Sequence, residues 1–229
     1  MVRPKGVPEF AQTCLEALAS RGMGDKISIG GGVGLLNYLD HRFTHDVDAW
    51  WSSDVGESEK ESVVRVIEES LSELGEVRRR AWGDVISLEL IQEGKKVFSF
   101  QIANRSARLR PTQWLSWAKV RVDSLEDLLA SKMVALVERG SPRDFVDIYT
   151  ACKNGLAAPV RCWELWRKRQ EMSGSDTDSH RARLALQTHL ARIETQRPLE
   201  GIPDPAERKN AGELRRWFRK EFLDALPDR

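Results

Sequence analysis

Apolar positions along the chain follow the 3.6-residue period of helices in some segments and the short runs typical of strands in others. Helices are predicted over residues 8–21, 57–74 and 124–137 and from 143 onward, and strands over 26–29, 85–91 and 96–102. Turn residues separate these elements, with Glu93 and Gly94 between the last two strands. This order predicts an α+β fold, in which a small mixed sheet with flanking helices is followed by an α-helical domain.

The change from a mixed to a wholly helical pattern predicts a domain boundary near residue 122. Residues 1–122 would form the core that carries the sheet, and residues 123–229 the helical domain. Ser124 and the acidic residues after it are typical of a helix N-terminus, because the hydroxyl caps backbone N–H groups and negative charge suits the helix dipole.

Composition narrows the class of protein only slightly. The chain has 229 residues, of which 41% are hydrophobic and 31% charged, as in ordinary folded proteins. The net charge is +1, so binding to nucleic acid would require a local basic patch. No apolar run approaches the length of a membrane span and the N-terminus lacks a signal-peptide core, so we expect a cytoplasmic protein without membrane contacts. The three cysteines show no metal-binding spacing and are expected to be reduced structural thiols.

The segment from Gly30 to Asp48 carries the strongest chemical signal in the sequence. A short strand leads into three glycines, which let a ligand approach the backbone and present N–H groups at the start of a short helix predicted over 35–39. The next strand carries Asp46 and Asp48, which strand alternation places on one face. Neighbouring carboxylates repel each other unless a cation neutralises them, and Mg²⁺ usually binds one or two carboxylates together with substrate phosphates. The segment therefore indicates Mg²⁺-dependent nucleotide chemistry.

The run GGGVGLLNYLDHRFTHDVDAW resembles the first motif of the AbiEii/AbiGii-type nucleotidyltransferase toxins, which are part of the DNA polymerase β-like superfamily. The matching positions are Gly31, Gly32, His41, Arg42, Thr44, Asp46 and Asp48. Downstream, a helix that carries Lys132 and then the pair Arg143-Asp144 resemble the later motifs of that family. The motifs occur in the family's order and span roughly the first two thirds of the chain.

The resemblance implies roles for individual residues. The implied nucleotide-binding positions are Gly31, Gly32, Val33, Arg42 and Lys132. Asp46 and Asp48 would hold Mg²⁺, Lys132 would bring a positive charge to the triphosphate, and Asp144 would lie near the nucleotide or its Mg²⁺. These four are the implied catalytic residues.

Simpler interpretations exist for several of these positions. Lys132 could be a solvated helix lysine, and Asp144 could cap its helix or pair with Arg143. Asp147 could only pair with a nearby base, and Arg42 could pair with a neighbouring aspartate.

The same resemblance implies Mg²⁺-dependent transfer of an NMP from an NTP to an acceptor, with tRNA or another RNA as the first candidate and protein as the second. It also implies the toxin of a bacterial toxin–antitoxin or abortive-infection system, acting opposite a separately encoded antitoxin.

Two positions depart from the family pattern. Val33 stands where the glycine turn normally carries Ser or Thr, and the strand that usually supplies a third carboxylate offers only Ser99 and Gln101. Glu89 on the preceding strand could complete the metal site if it faces the two aspartates. These departures keep open a catalytically weakened module that binds nucleotide, RNA or protein, and also a metal-dependent phosphohydrolase.

Residues 103–121 combine basic and aromatic side chains without an acidic residue. The basic positions are Arg105, Arg108, Arg110, Lys119 and Arg121, and the aromatic ones are Trp114 and Trp117. Such a segment suits single-stranded nucleic acid, whose bases stack on rings while phosphates pair with arginine. In the alternative interpretation the tryptophans pack into the core and the arginines belong to a solvated loop.

Overall fold

A computed structural model of the protein describes residues 3–226. Within them the helices are α1 Glu9–Ser20, α2 Gly31–Leu36, α3 Glu57–Ser72, α4 Leu125–Glu138, α5 Pro142–Lys153, α6 Pro159–Ser173, α7 Ser179–Gln196 and α8 Pro205–Trp217. The strands are β1 Ile27–Ile29, β2 Asp46–Trp51, β3 Glu76–Trp82, β4 Val85–Gln92, β5 Lys95–Ala103, β6 Gln113–Trp114 and β7 Arg121–Val122. A 3₁₀ turn covers Leu199–Gly201, and a π-helical turn covers Phe218–Phe222.

The strands form one seven-stranded mixed sheet in the order β3-β4-β5-β2-β1-β7-β6. β2 pairs with β5 and β1 pairs with β7 in parallel, and the other neighbours are antiparallel. The predicted turn between β4 and β5 is present, with Glu93 and Gly94 both at positive φ. The mixed sheet predicted from the order of the elements is thus confirmed.

The two faces of the sheet differ in polarity because side chains alternate along each strand. In β2, Val47, Ala49 and Trp51 are buried, whereas Asp46 and Asp48 are only half-buried on the opposite face. The apolar face belongs to a core that includes residues of α1 and α3. The polar face carries the two aspartates.

Three strands and one helix boundary differ from the predictions. β3 is an edge strand whose side chains are nearly all exposed, so it lacks the apolar alternation that identifies a strand. β6 and β7 have two residues each and are too short to show a period. The helix expected over 35–39 begins at Gly31 instead, because the N–H of Gly34 already donates to the carbonyl of Gly30 (2.8 Å).

The chain divides into two compact units between Leu128 and Leu129, inside α4. The domain boundary near residue 122 stays a prediction. The first turn of α4 belongs to the first unit and is hydrogen-bonded within it. Asp127 accepts hydrogen bonds from the backbone N–H groups of Leu109 (2.8 Å) and Arg110 (3.0 Å). A side chain at Gly34 would contact Leu128 at 2.7 Å, which shows how closely that turn packs against α2.

The regular elements of the second unit are all helices in its described residues, and they surround an aromatic core. Trp163 donates from Nε1 to the carbonyl of Phe222 (3.0 Å), and its ring lies 5.2 Å from that of Phe222. Trp166, Phe145 and Phe218 are also almost completely buried. The α-helical domain predicted to follow the sheet is therefore confirmed. None of the helices within residues 3–226 combines the length and apolar character needed to cross a membrane.

Candidate active site

The glycine turn after β1 lies directly against the carboxylate of Asp48. Gly31 has a φ of +52°, and a Cβ built on it would lie 2.0 Å from Asp48 Oδ2. The N–H of Gly30 donates to the carbonyl of Asp48 (2.8 Å), which fixes β2 beside the turn. Only glycine fits at position 31, because any side chain there would displace the carboxylate.

The loop that enters β2 brings two further polar side chains to the same turn. A Cβ on Gly32 would lie 3.1 Å from Thr44 Oγ1 and 3.2 Å from Arg42 Nη2. The Thr44 hydroxyl donates to Asp46 Oδ1 at 2.5 Å, which orients that carboxylate. In the first unit the structure therefore places the two aspartates and Arg42 of the predicted site around the glycine turn.

The register of β2 and β5 identifies the neighbours of the two aspartates. Asp46 is paired with Ser99, and Asp48 is paired with Gln101. Paired residues of adjacent strands project from the same face of a sheet. The positions where a third carboxylate was expected are thus neutral side chains beside the aspartates.

Glu89 shares this face but lies two strands away from Asp46. It is paired with Ser99, which stands between them in the sheet. Its carboxylate forms ion pairs with Arg80 (3.1 Å) and Lys96 (3.5 Å). Two cations therefore already balance the charge that Glu89 would bring to a metal.

The side chain of Val33 is fully buried in the hydrophobic core of the first unit. At this position only the backbone is available to a nucleotide. A Ser or Thr hydroxyl at this position would therefore lie in the hydrophobic core.

The donor chemistry around Asp46 and Asp48 fits Mg²⁺. Two hard carboxylates lie on one face, and the missing Cβ of Gly31 lets the Asp48 carboxylate lie directly against the glycine turn. Mg²⁺ commonly uses one or two carboxylates and takes its other ligands from water and substrate phosphates. Among residues 3–226 no group of three or more His, Cys, Asp or Glu side chains is arranged to hold a metal, so a closed site made only of protein ligands is not present there.

The model of one protein family, described as "Nucleotidyl transferase AbiEii toxin, Type IV TA system", matches residues 13–228. The chain belongs to this family. Among solved structures, the chain is similar to an antigenic nucleotidyltransferase-like protein from Paracoccidioides brasiliensis, with 18% identity and a TM-score of 0.43 over 88% of this chain and 92% of that one. A comparison with curated proteins finds no match.

In this member of the AbiEii family, Lys132 and Asp144 lie in the second unit and form a buried ion cluster with Asp147. Lys132 Nζ is 2.8 Å from Asp147 Oδ2 and 3.6 Å from Asp144 Oδ1. Asp144 also accepts two hydrogen bonds from Arg139 (3.0 and 3.2 Å). Lys132 is only 8% exposed, so the interpretation as a solvated lysine is wrong, and the arginine paired with Asp144 here is Arg139.

Helix α7 holds the turn that connects α4 to α5 and thereby the two helices of this cluster. Gly140 has a φ of +52°, and a Cβ on it would lie 2.3 Å from the ring of His189. His189 Nε2 is 3.0 Å from the carbonyl of Val137, and Arg192 donates to the carbonyl of Arg139 (2.7 Å). The sequence offered no sign of these contacts, because they join residues about 50 positions apart.

A second buried charge network in the first unit was not predicted. Arg105 bonds to Asp123 and lies 3.2 Å from Asp127, while its guanidinium stacks 5.0 Å from the ring centroid of Trp50. Ser28 donates to the other oxygen of Asp123 (3.0 Å). Burial raises the pKa of Asp123, and Arg105 and Ser28 oppose that shift. The expectation that Arg105 belongs to a nucleic-acid surface is therefore wrong, since its side chain is inside the first unit.

The remainder of the basic segment is divided between surface and core. Trp114 is 51% exposed on the edge strand β6, and the guanidinium of Arg121 lies 3.9 Å from its ring centroid. Trp117 packs against the core, as the alternative interpretation expected. Arg110 forms an ion pair with Glu126. The segment thus presents one exposed tryptophan with a stacked arginine.

Proposed function

We propose that the chain is a Mg²⁺-dependent nucleotidyltransferase that moves an NMP from an NTP to an RNA acceptor. The main support is the closeness of the Asp48 carboxylate, a group suited to Mg²⁺, to the backbone of Gly31, whose N–H would suit a phosphate. In this reaction a hydroxyl of the acceptor attacks the α-phosphorus and pyrophosphate leaves. Positioning and charge stabilisation supply most of the catalysis in such transfers.

Asp46 and Asp48 would hold Mg²⁺, which when bound supplies positive charge for the attacking and leaving oxygens. Thr44 keeps Asp46 in place through its hydroxyl. The backbone N–H groups of Gly31 and Gly32 would bind phosphate oxygens at the start of α2, with the backbone of Val33 as a further donor. Arg42, beside Gly32, would bind a phosphate through its guanidinium fork.

For Lys132 and Asp144 the proposal rests on the order of the family's motifs. Lys132 would place its ammonium charge against the triphosphate, and Asp144 and Asp147 restrict that ammonium group to one position. Asp144 would serve near the nucleotide or its metal.

RNA is favoured as the acceptor by the exposed ring of Trp114 and by the half-buried Arg121 that stacks on it. A tryptophan ring that is half exposed on a sheet edge offers a stacking surface for an unpaired base. The guanidinium stacked on it supplies positive charge for the adjacent phosphate. In keeping with the family's description, the chain would be the toxin that acts opposite a separately encoded antitoxin.

A second function is favoured by the neutral neighbours of the two aspartates. Ser99 and Gln101 occupy the paired positions, and Glu89 is held by two cations. With only two carboxylates, Mg²⁺ binding is weaker, and the chain would then be a module that binds nucleotide or RNA without turnover.

Incubation with each α-³²P-labelled NTP, Mg²⁺ and total tRNA separates the two functions. Transfer predicts label in RNA that is lost in the variant Asp46→Ala/Asp48→Ala and identifies the nucleotide. Label in protein instead would indicate a protein acceptor. Nucleotide binding without labelling of RNA or protein would support the non-catalytic module.

The RNA surface has its own test, with a matched control at the other edge of the sheet. Trp114→Ala should weaken tRNA binding about 5- to 150-fold, because stacking contributes about 1–3 kcal/mol per base. Trp82 on β3 is exposed to the same extent (50%), and Trp82→Ala should leave tRNA binding unchanged. Equal losses in both variants, or in neither, would contradict the proposed surface.

A further inference from the structure

Helices α5 and α6 bring two cysteine sulfurs into contact in the second unit. Cys152 lies in the last turn of α5 and Cys162 in the first turns of α6, and their Sγ atoms are 3.7 Å apart. A disulfide requires about 2.0 Å between the sulfurs, so the gap to close is about 1.7 Å. The short loop 154–158 keeps the two helix ends together.

The two thiols differ in exposure and in acidity. Cys162 is completely buried, whereas Cys152 is partly open to solvent. A hydrogen bond from the Cys162 thiol, supported by the charge of Lys153, lowers the pKa of Cys152 against the opposing effect of its burial. The same hydrogen bond and burial raise the pKa of Cys162. Cys152 is therefore the more acidic and the more accessible of the two thiols, and Cys162 is its buried partner.

The third cysteine, Cys14, is an unreactive thiol with which the reactivity of Cys152 can be compared. Cys14 is fully buried in α1 of the first unit, and burial raises its pKa to about 12. A thiol of this kind is inert toward oxidants, because the thiolate is the nucleophile.

We propose that Cys152 and Cys162 form a modification site that peroxides convert to an intramolecular disulfide. The Cys152 thiolate attacks one peroxide oxygen and the O–O bond breaks, which gives Cys152 sulfenic acid and hydroxide. The Cys162 sulfur then attacks the Cys152 sulfur, and water leaves with the thiol proton. In total the two thiols lose two protons and two electrons, and one hydrogen peroxide takes them up to become two waters.

The disulfide would join the end of α5 to the start of α6. Helix α5 also carries Asp144 and Asp147, which hold Lys132, so oxidation would fix the helix that supports this ion cluster. This inference does not depend on the proposed transfer reaction.

The test treats the reduced full-length protein with hydrogen peroxide and maps the products by peptide mass spectrometry. The expected product is a pair of peptides linked through Cys152 and Cys162, with a mass lower by two hydrogens, and dithiothreitol should reverse the link. Cys14 should still be a free thiol that can be alkylated after unfolding. Cys14→Ser should form the same bond at the same rate.

Two variants divide the reaction into its steps. Cys162→Ala should accumulate Cys152 sulfenic acid, which dimedone traps, and Cys152→Ala should resist peroxide at the concentrations that oxidise the wild type. Circular dichroism checks that both variants are folded. Oxidation of all three thiols at one rate, a disulfide to Cys14, or sulfenic acid in wild type that never resolves would overturn the proposal.

Discussion

At the scale of single residues, replacing Gly31 by alanine tests the candidate site through the addition of one methyl group. Gly31→Ala would place that methyl 2.0 Å from Asp48 Oδ2 and force the carboxylate away from the turn. We expect at least a hundredfold loss of nucleotide transfer, because displacements of about 1 Å cost this much in catalysis. Label transfer from α-³²P-NTP measures the loss.

Gly83→Ala is a matched control for the backbone strain. Gly83 has the same φ of +52°, but a Cβ there meets nothing within 4 Å. Both variants should therefore lose a similar stability of about 1–2 kcal/mol from the positive φ. If both also lost transfer equally, the effect would come from strain and the assignment of Asp48 would fail.

Thr44 is predicted to act only through Asp46. Thr44→Val keeps the shape of the buried side chain but removes the hydroxyl that donates to Asp46 Oδ1. We expect a loss of about 1 kcal/mol in the free energy of unfolding and a higher Mg²⁺ requirement for transfer. Thr44→Ser, which retains the hydroxyl, should keep the wild-type requirement. A Thr44→Val enzyme that is half-saturated by the same Mg²⁺ concentration as wild type would contradict this role.

At the scale of elements, helices α4 and α5 share the ion cluster of Lys132, Asp144 and Asp147. Its contribution to the stability of the protein can be measured separately from its contribution to transfer. Lys132→Met leaves Asp144 and Asp147 buried without their lysine, and we expect a loss of about 3–5 kcal/mol in the free energy of unfolding. Adding Asp147→Asn removes the carboxylate that lies closest to the lost ammonium group and should restore much of that stability. Urea unfolding measures both.

The same double variant distinguishes a role of Lys132 in binding the triphosphate from a purely structural role. If Lys132 binds the triphosphate, transfer stays lost in Lys132→Met/Asp147→Asn although stability returns. Recovery of transfer together with stability would make Lys132 a structural residue only.

The elements also show what sequence patterns can predict in this fold. Side-chain alternation correctly placed Asp46 and Asp48 on one face, because a strand buried on one side has a clear period of two. β3 was missed because its arginines are exposed and it is held by backbone pairing with β4. The start of α2 was missed because glycine disfavours helix in isolation, whereas close packing against Asp48 and Leu128 favours it here.

At the scale of the whole molecule, long-range charge pairing was the least predictable feature. Arg105 looked like a surface residue in an arginine-rich segment, yet it neutralises Asp123 and Asp127 about 20 positions away. The bond to Asp127 attaches the first turn of α4 to the rest of the first unit. The local sequence does not reveal which charged residues pair over such a separation, because each of them alone would be expected at the solvent-exposed surface.

Thermal unfolding of the whole protein tests the metal site without relying on turnover. Asp46→Ala/Asp48→Ala removes two neighbouring like charges, which offsets the lost hydrogen bond from Thr44, so without ligand its Tm should lie close to that of the wild type. Mg²⁺ with NTP binds only the folded state and should raise the wild-type Tm by about 5 °C or more at a hundred times Kd. The double variant should show no rise, and EDTA should cancel the wild-type rise. A rise of equal size in the variant would place the ligand away from Asp46 and Asp48, whatever the acceptor of the reaction.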